Sequence, residues 1–209
     1  MNSATQSFTL QGGAGALEAL RDVPSQGTVR GTVVIAHPHP LFGGTMQNKV
    51  VQTLARAFVQ CGWQAVRFNF RGVGASAGIH DEGRGEADDM LAVIEQVAPE
   101  GRLALAGFSF GAFVTSHVAQ ALQAQRSLDQ LVLVGTAASR FTVAPVAPAL
   151  HERTLVIHGE QDDTVALASV MAWARPQTLP VTVIPGVEHF FHGQLPLLKS
   201  LVVRHLQAG

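Results

Sequence analysis

One serine in this chain stands in a setting that favours nucleophilic chemistry. Ser109 is the central residue of Gly107-Phe108-Ser109-Phe110-Gly111, between the apolar run 103–106 and a helix-like stretch that begins at residue 112. The flanking glycines allow a strand and a helix to pass close to a strained serine, whose hydroxyl is then exposed at the apex of the turn. Because the same pattern also occurs in ordinary glycine-rich turns, it predicts a nucleophile only where a strand, a turn and a helix form around it.

A candidate acid and a candidate base follow later apolar runs. Asp162 and Asp163 come shortly after the run that ends at His158, and His189 comes shortly after the run 181–184. Functional residues of an open parallel sheet lie beyond the carboxyl ends of its strands, so these side chains could meet Ser109. The chain order serine, acid, histidine is the one associated with a nucleophile elbow on an α/β sheet. The spacing from His158 favours Asp162 as the acid, whereas Asp163 fits a helix N-terminal carboxylate.

The elements that must position these residues alternate along the chain. From residue 33 onward, short apolar runs alternate with longer segments whose apolar residues recur every three or four positions, which is typical of an α/β fold with a parallel sheet covered on both faces. The predicted strands are Val33–His37, Ala65–Phe70, Leu103–Phe108, Leu131–Gly135, Thr154–His158 and Val181–Ile184. The predicted helices are Met46–Cys61, Gly85–Val97, Ser109–Gln123, Val165–Trp173 and Pro196–Leu206.

Two segments outside this alternation are read separately. The runs 8–10 and 16–20, parted by two glycines, could form an antiparallel hairpin at the sheet edge, or the second run could be a short helix. The stretch Ala137–Glu152 contains two prolines and is predicted to be a loop, which leaves no room for a substantial cap. We therefore predict a single, doubly wound, mostly parallel α/β domain over residues 1–209, with minimal or no cap and an open site.

The composition excludes several classes of partner. The 14 basic and 15 acidic residues give a net charge of −1 and no basic stripe, so we expect no nucleic-acid partner. The apolar runs are too short to span a membrane, and the polar residues 1–6 lack the features of a secretory signal, so we expect no membrane partner and a cytoplasmic location. The single cysteine, Cys61, excludes an internal disulfide. Tyrosine is absent, so acid–base chemistry falls to the nine histidines and the carboxylates.

From about Gly31 to the C-terminus, these motifs resemble the α/β-hydrolase superfamily, in particular its small, cap-poor serine hydrolases related to dienelactone-hydrolase-like and prolyl-peptidase-like enzymes. The resemblance implies that Ser109 is the nucleophile, Asp162 the acid and His189 the base. It also implies a carboxylesterase-like serine hydrolase that cleaves a small-molecule carboxylic ester or related acyl bond through an acyl-enzyme, without metal or cofactor. Thioester, amide and peptide substrates stay open, and so does the oligomeric state.

The segment 37–45 matches the loop that supplies one oxyanion donor in this family. Its prolines at positions 38 and 40 have no N–H, so the donor must be the N–H of His39 or of Leu41, and we favour His39. The second donor is expected to be the N–H of Phe110, the residue after the nucleophile. Aromatic residues near these positions could line an apolar acyl pocket. They are Phe42, Phe110, Phe190 and Phe191.

Two other classes of function are weighed against this one. His37 and His39, with later acidic residues and histidines, could form a metal-dependent hydrolase site, namely with Glu160, Asp162, Asp163, His189 and His192. A complete (β/α)₈ barrel needs about 250 residues, which argues against that alternative. A hydrolase fold that serves only as a binding module is the third class. The remaining histidines, His80, His117, His151 and His205, have no partner signal and are expected to be surface or half-buried residues.

Overall fold

The computed structural model describes residues 5–208 of the chain. Residues 1–4, which form most of the polar start from which a cytoplasmic location was inferred, lie outside the described residues, as does residue 209. None of the helices within residues 5–208 is long and apolar enough to cross a membrane.

A single eight-stranded sheet forms the centre of the fold. Its strands are β1 Thr5–Gly12, β2 Gly15–Asp22, β3 Thr32–Ala36, β4 Gln64–Phe68, β5 Leu103–Phe108, β6 Gln130–Val134, β7 Thr154–Gly159 and β8 Val181–Ile184. The order across the sheet is β1-β2-β4-β3-β5-β6-β7-β8. Strands β3 to β8 run parallel, whereas β2 is antiparallel to both β1 and β4. The six predicted strands are confirmed, each to within two residues at either end.

Helices cover both faces of the sheet, which confirms the predicted doubly wound α/β class. They are α1 Lys49–Gln60, α2 Arg84–Val97, α3 Phe110–Leu122, α4 Leu167–Ala174 and α5 Leu195–Ala208. Buried residues of α1 and α5 form one hydrophobic core with one face of the sheet, and those of α2, α3 and α4 form a second core with the other face. Helix α1 begins three residues later than predicted because the Asn48 side chain caps it, accepting hydrogen bonds from the N–H groups of Val50 and Val51.

The N-terminal runs form the antiparallel hairpin, and the helix alternative for the second run is wrong. Strands β1 and β2 pair with Leu10 opposite Leu17, and Gly12 opposite Gly15 at the turn. Leu17 and Ala19 alternate toward the core, a period of two that suits a strand. The hairpin therefore extends the parallel sheet at its β4 edge.

The connection between β6 and β7 carries no cap domain. It is irregular apart from the short 3₁₀ helix Pro148–Arg153. Its first residues lie against the Ser109 turn, since the Ala137 N–H donates to the Ser109 carbonyl and the Phe141 ring centroid lies 5.3 Å from that of Phe110. Within residues 5–208, no cap domain therefore lies between β6 and β7 over the edge of the sheet that bears Ser109.

Candidate active site

Ser109 occupies the strained turn that the motif predicts between β5 and α3. Its φ of 58° and ψ of −117° are far from the backbone conformations that residues other than glycine usually adopt. The turn is held in place because the Ser109 N–H donates to the Val134 carbonyl at 2.8 Å. Both motif glycines are required, since a Cβ at Gly107 would lie 2.4 Å from the Gly111 oxygen, and one at Gly111 would lie 2.4 Å from the Ala36 oxygen.

Three predicted site residues are joined by hydrogen bonds in series. His189 Nε2 lies 3.0 Å from Ser109 Oγ, and His189 Nδ1 lies 2.6 Å from Asp162 Oδ2. The other carboxylate oxygen of Asp162 accepts the N–H of Thr164 at 3.0 Å and that of Val165 at 2.7 Å. All three linked side chains are buried although they come from turns that follow three different strands, β5, β7 and β8. The arrangement can carry a proton from the serine hydroxyl to an imidazole whose other nitrogen faces a carboxylate.

The surroundings of Asp162 keep it ionised. Burial raises the pKa of its carboxyl, but the hydrogen bonds from His189 and the Val165 N–H lower it more, and the net pKa lies below the usual value. His158 adds to this, since its ring nitrogen Nε2 is 3.5 Å from Asp162 Oδ2 while it donates to the Val165 carbonyl at 2.9 Å. Asp163, the competing acid, is exposed, and its carboxylate accepts a bond from Thr164 Oγ1 rather than from His189.

The ring of His189 is also fixed by packing. Its centroid lies 4.9 Å from that of Phe108, with the two planes at 33°. At the carboxyl end of the neighbouring strand β6, Gly135 has a φ of 54°, and a Cβ there would lie 3.1 Å from His189 Cε1. The backbone of Gly135 therefore approaches the imidazole so closely that a side chain at this position would crowd the ring.

The loop after β3 is anchored by His37. This buried ring donates from Nδ1 to the Pro38 carbonyl at 2.6 Å and accepts the Phe70 N–H at Nε2, at 3.0 Å. Burial lowers the pKa of His37 to about 4, so the ring is neutral at physiological pH. Because both ring nitrogens already have partners, His37 is not available as the metal ligand of the alternative site. Within residues 5–208, no three or more histidine, cysteine or acidic side chains are grouped so as to hold a metal ion.

The two candidate donors of the oxyanion loop differ in what they bind. The Leu41 N–H donates to His39 Nδ1 at 3.2 Å. In contrast, the N–H of His39 and that of Phe110 have no acceptor within the described part of the chain. The two residues are neighbours, with ring centroids 4.8 Å apart. Of the two loop candidates, the His39 N–H is thus free and the Leu41 N–H is engaged, while the Phe110 N–H is free at the start of α3.

The four phenylalanines named from the sequence lie in different environments. Phe42 is 73% exposed and Phe190 is 42% exposed, and both border the open side of the site. Phe110 is buried, but its ring contacts that of His39. The expectation that Phe191 lines the pocket is wrong. At a φ of 56° the chain turns so that the Phe191 side chain enters the core on the α1 and α5 face, where it is fully buried.

Sequence reasoning missed one group beside the site. The sequence indicates no partner for His80, but its Nδ1 lies 2.9 Å from Glu86 Oε1, and its ring centroid lies 4.9 Å from that of His39. Glu86 is fully buried in the first turn of α2. Glu86 accepts the N–H of Gly83, the residue that precedes α2, but Gly83 has no side chain and the sequence therefore lacks the Ser/Thr-x-x-Glu pattern that would have located this carboxylate.

Comparison with known proteins identifies the family of the chain. Residues 27–152 match the family model described as serine aminopeptidase, S33. The chain is 35% identical to an α/β serine hydrolase without lid from Xanthomonas campestris, with a TM-score of 0.88 over 100% of this chain and 96% of that one. It is 39% identical to an α/β serine hydrolase homologue from Coxiella burnetii, with a TM-score of 0.80 over 96% of this chain and 97% of that one.

A curated relative matches over a shorter region. An uncharacterized protein of Rickettsia prowazekii is 41% identical over 89 residues, which are 41% of this chain and 37% of that protein. The matched region therefore spans little more than a third of the length of that relative. The model match over more than half of the chain and the similarity to the Xanthomonas structure along its full length establish that this protein belongs to the α/β-fold serine hydrolase family.

Proposed function

We propose that the protein hydrolyses a carboxylic ester or a related acyl bond through a covalent acyl-enzyme on Ser109. The observation that carries the proposal is the hydrogen-bonded series from Ser109 Oγ through His189 to Asp162, at a serine held in a strained turn. A serine hydroxyl is a weak nucleophile near neutral pH, and a base within hydrogen-bond distance activates it. The measured separation of 3.0 Å between Oγ and Nε2 meets that requirement.

The reaction then proceeds in two halves. As Ser109 Oγ attacks the acyl carbon, His189 Nε2 takes the hydroxyl proton, and the same nitrogen then gives it to the leaving group. Water next attacks the acyl-enzyme, with His189 taking one of its protons and returning it to the Ser109 oxygen, so that the acid is released and the enzyme is restored. Asp162 holds the Nδ1 proton of His189 and stabilises the imidazolium that forms in each half, for which its lowered pKa suits it.

Two backbone N–H groups are proposed to bind the negative charge that develops on the acyl oxygen. Those of Phe110 and His39 are free of protein acceptors and belong to adjacent segments beside Ser109. One such donor contributes about 10²- to 10³-fold to turnover in a serine hydrolase. The free N–H groups support His39 over Leu41 as the loop donor.

The open rim supports an ester with an apolar acyl or alcohol group as substrate. Exposed apolar side chains border the loops around the site, namely Leu41, Phe42, Ile79 and Phe190. An amide substrate is the second candidate, because the family model that matches the chain is described as a serine aminopeptidase. A thioester would use the same groups. The expected cytoplasmic location, the absence of a cofactor and the absence of nucleic-acid and membrane partners stay predictions.

A substrate panel with serine variants tests the proposal. We expect hydrolysis of 4-nitrophenyl butanoate to exceed that of a butanoyl thioester and of alanine 4-nitroanilide in kcat/KM. Ser109→Ala should abolish the activity, whereas Ser127→Ala, a change at an exposed serine beyond the end of α3, should leave it unchanged. Faster cleavage of the anilide than of the ester would indicate that the protein is an aminopeptidase and not an esterase. Activity that survives in Ser109→Ala and is lost on chelation would overturn the serine mechanism.

A further inference from the structure

A second imidazole–carboxylate pair lies next to the proposed oxyanion loop. His80 Nδ1 donates to Glu86 Oε1 at 2.9 Å, and the same carboxylate accepts the N–H groups of Asp81 at 2.9 Å and of Gly83 at 2.8 Å. Glu86 is fully buried, and its two oxygens accept all three of these hydrogen bonds. The His80 side chain is 12% exposed, and its Nε2 is the nitrogen that a further partner can reach.

The His80 ring faces the reacting side of the molecule. Its centroid lies 4.9 Å from that of His39 and 5.4 Å from that of Phe110, the residue that follows Ser109. His39 Nδ1 accepts the Leu41 N–H, so the proton of a neutral His39 ring is on Nε2. Burial and electrostatic interaction with His80 and Arg140 lower the pKa of His39, which favours this neutral, donating form.

A third donor comes from the connection between β6 and β7. Arg140 is exposed, and its guanidinium carbon lies 5.8 Å from the ring centroid of Phe42, on the rim of the site. Within residues 5–208 its side chain has no carboxylate partner. Two other cationic side chains near Glu86 are already paired, Arg71 with Asp89 and Arg84 with Asp81. The rim therefore carries one uncompensated guanidinium beside two imidazoles.

We infer that His39, His80 and Arg140 form a subsite for a carboxylate on the substrate, close to the acyl bond that Ser109 attacks. Guanidinium and imidazole N–H groups recognise carboxylates through charge-assisted hydrogen bonds. The half-buried ring of Phe141, whose centroid lies 5.3 Å from that of the buried Phe110, provides an apolar surface for the carbon chain between the carboxylate and the ester. The substrate class is thus an ester that carries a carboxylate, and this inference rests on the proposed function of Ser109.

Paired substrates separate this inference from general activity. One pair places the charge on the acyl group, 4-nitrophenyl hydrogen adipate against 4-nitrophenyl methyl adipate. The other pair places it on the alcohol, 4-carboxyphenyl butanoate against its methyl ester. We expect kcat/KM for the charged member of one pair to exceed that of its neutral partner by about tenfold, the value of one exposed charge-assisted contact. His80→Gln and Arg140→Gln should each remove this preference and keep the neutral rates within about threefold.

Arg84→Gln is the matched control, because it also removes one exposed positive charge from this region but leaves the three donors in place. The preference should survive in this variant. A purely structural role for His80 would instead lower the charged and neutral rates by the same factor, and that result would overturn the inference. If Arg84→Gln also loses the preference for the charged substrate, the preference is an effect of net charge, and this result would overturn the inference as well.

Binding without turnover keeps this test independent of the hydrolase mechanism. Monomethyl adipate is titrated into Ser109→Ala protein, and the ring signals of the histidines are followed by NMR. We expect saturable shifts at His39 and His80 that weaken about tenfold when Arg140→Gln is added. Shifts with an inactive wild type would contradict the proposed function but not the subsite. No shifts with an active wild type would contradict the subsite alone.

Discussion

Replacing the buried carboxylate of Asp162 with the amide of asparagine tests how the imidazole of His189 is oriented. In Asp162→Asn the side chain must still satisfy the N–H groups of Thr164 and Val165, which donate to one carboxylate oxygen at 3.0 and 2.7 Å. The amide oxygen will take that position, which turns the NH₂ group toward His189 Nδ1. His189 must then accept at Nδ1 and carry its proton on Nε2, where it faces Ser109 and cannot accept the hydroxyl proton.

The expected magnitude follows from the cost of reversing the amide. With the amide oxygen turned to His189, two backbone N–H groups would lose their acceptor, at about 1–3 kcal/mol each. A total of about 2–6 kcal/mol corresponds to a loss of about 30-fold to 10⁴-fold in turnover. The same exchange in another serine hydrolase lies at the upper end, at about 10⁴-fold.

The assay is the kcat for 4-nitrophenyl butanoate, with thermal unfolding measured to verify that the variant folds. Asp163→Asn is the matched control, since it makes the same change one residue away at an exposed side chain, and it should keep kcat within about twofold. Turnover of Asp162→Asn within threefold of wild type would refute the reasoning. So would a larger loss in Asp163→Asn than in Asp162→Asn.

Three further changes test the parts that support this centre. Gly135→Ala should lower kcat at least tenfold, because the new Cβ would lie 3.1 Å from His189 Cε1. The same variant should lose about 1–2 kcal/mol of unfolding free energy, because alanine is strained at a φ of 54°. A wild-type kcat in this variant would contradict the close approach of Gly135 to the imidazole. His39→Pro should lower kcat on a neutral ester about 10²- to 10³-fold relative to His39→Ala, because the φ of −54° at this position admits proline and the variant lacks only the backbone N–H. Equal rates in the two variants would show that the His39 N–H is not an oxyanion donor. The pKa of His37 falls from 6.5 in the unfolded chain to about 4 in the folded protein, so the unfolded state takes up the proton first as the pH falls. About 3 kcal/mol of the stability present at pH 7 should therefore be lost between pH 6.5 and pH 4. Urea unfolding of His37→Gln should show a smaller loss of unfolding free energy over that range, and the same pH dependence as in the wild type would contradict this assignment.

The sequence predicted those features in which local pattern and chemistry coincide. The buried parallel strands read as continuous apolar runs, and the Gly107-to-Gly111 motif contains the glycines that its close backbone contacts require. The positions of Asp162 and His189 after their strands followed from the geometry of a parallel sheet, which brings the carboxyl ends together. These signals are local in sequence and need no knowledge of side-chain packing.

The features that the sequence did not reveal depend on long-range packing. Phe190 and Phe191 are adjacent phenylalanines with the same apolar character, yet one is exposed and the other is fully buried. His80 has no neighbour in the sequence that announces the contact with His39, which is 41 positions away and comes from a different loop. In the loop after β3, the Leu41 N–H is engaged and the His39 N–H is free because His39 Nδ1 accepts from Leu41, and the sequence does not show this contact.

Covalent labelling of Ser109 tests the proposed mechanism most directly. The protein is incubated with an alkyl fluorophosphonate, and the adduct is located by mass spectrometry of the intact chain and of its peptides. We predict one adduct per chain, on Ser109, formed equally in the presence of a chelator, absent in Ser109→Ala and greatly slowed in His189→Gln. Ester hydrolysis by a protein that forms no adduct at Ser109 would contradict the account.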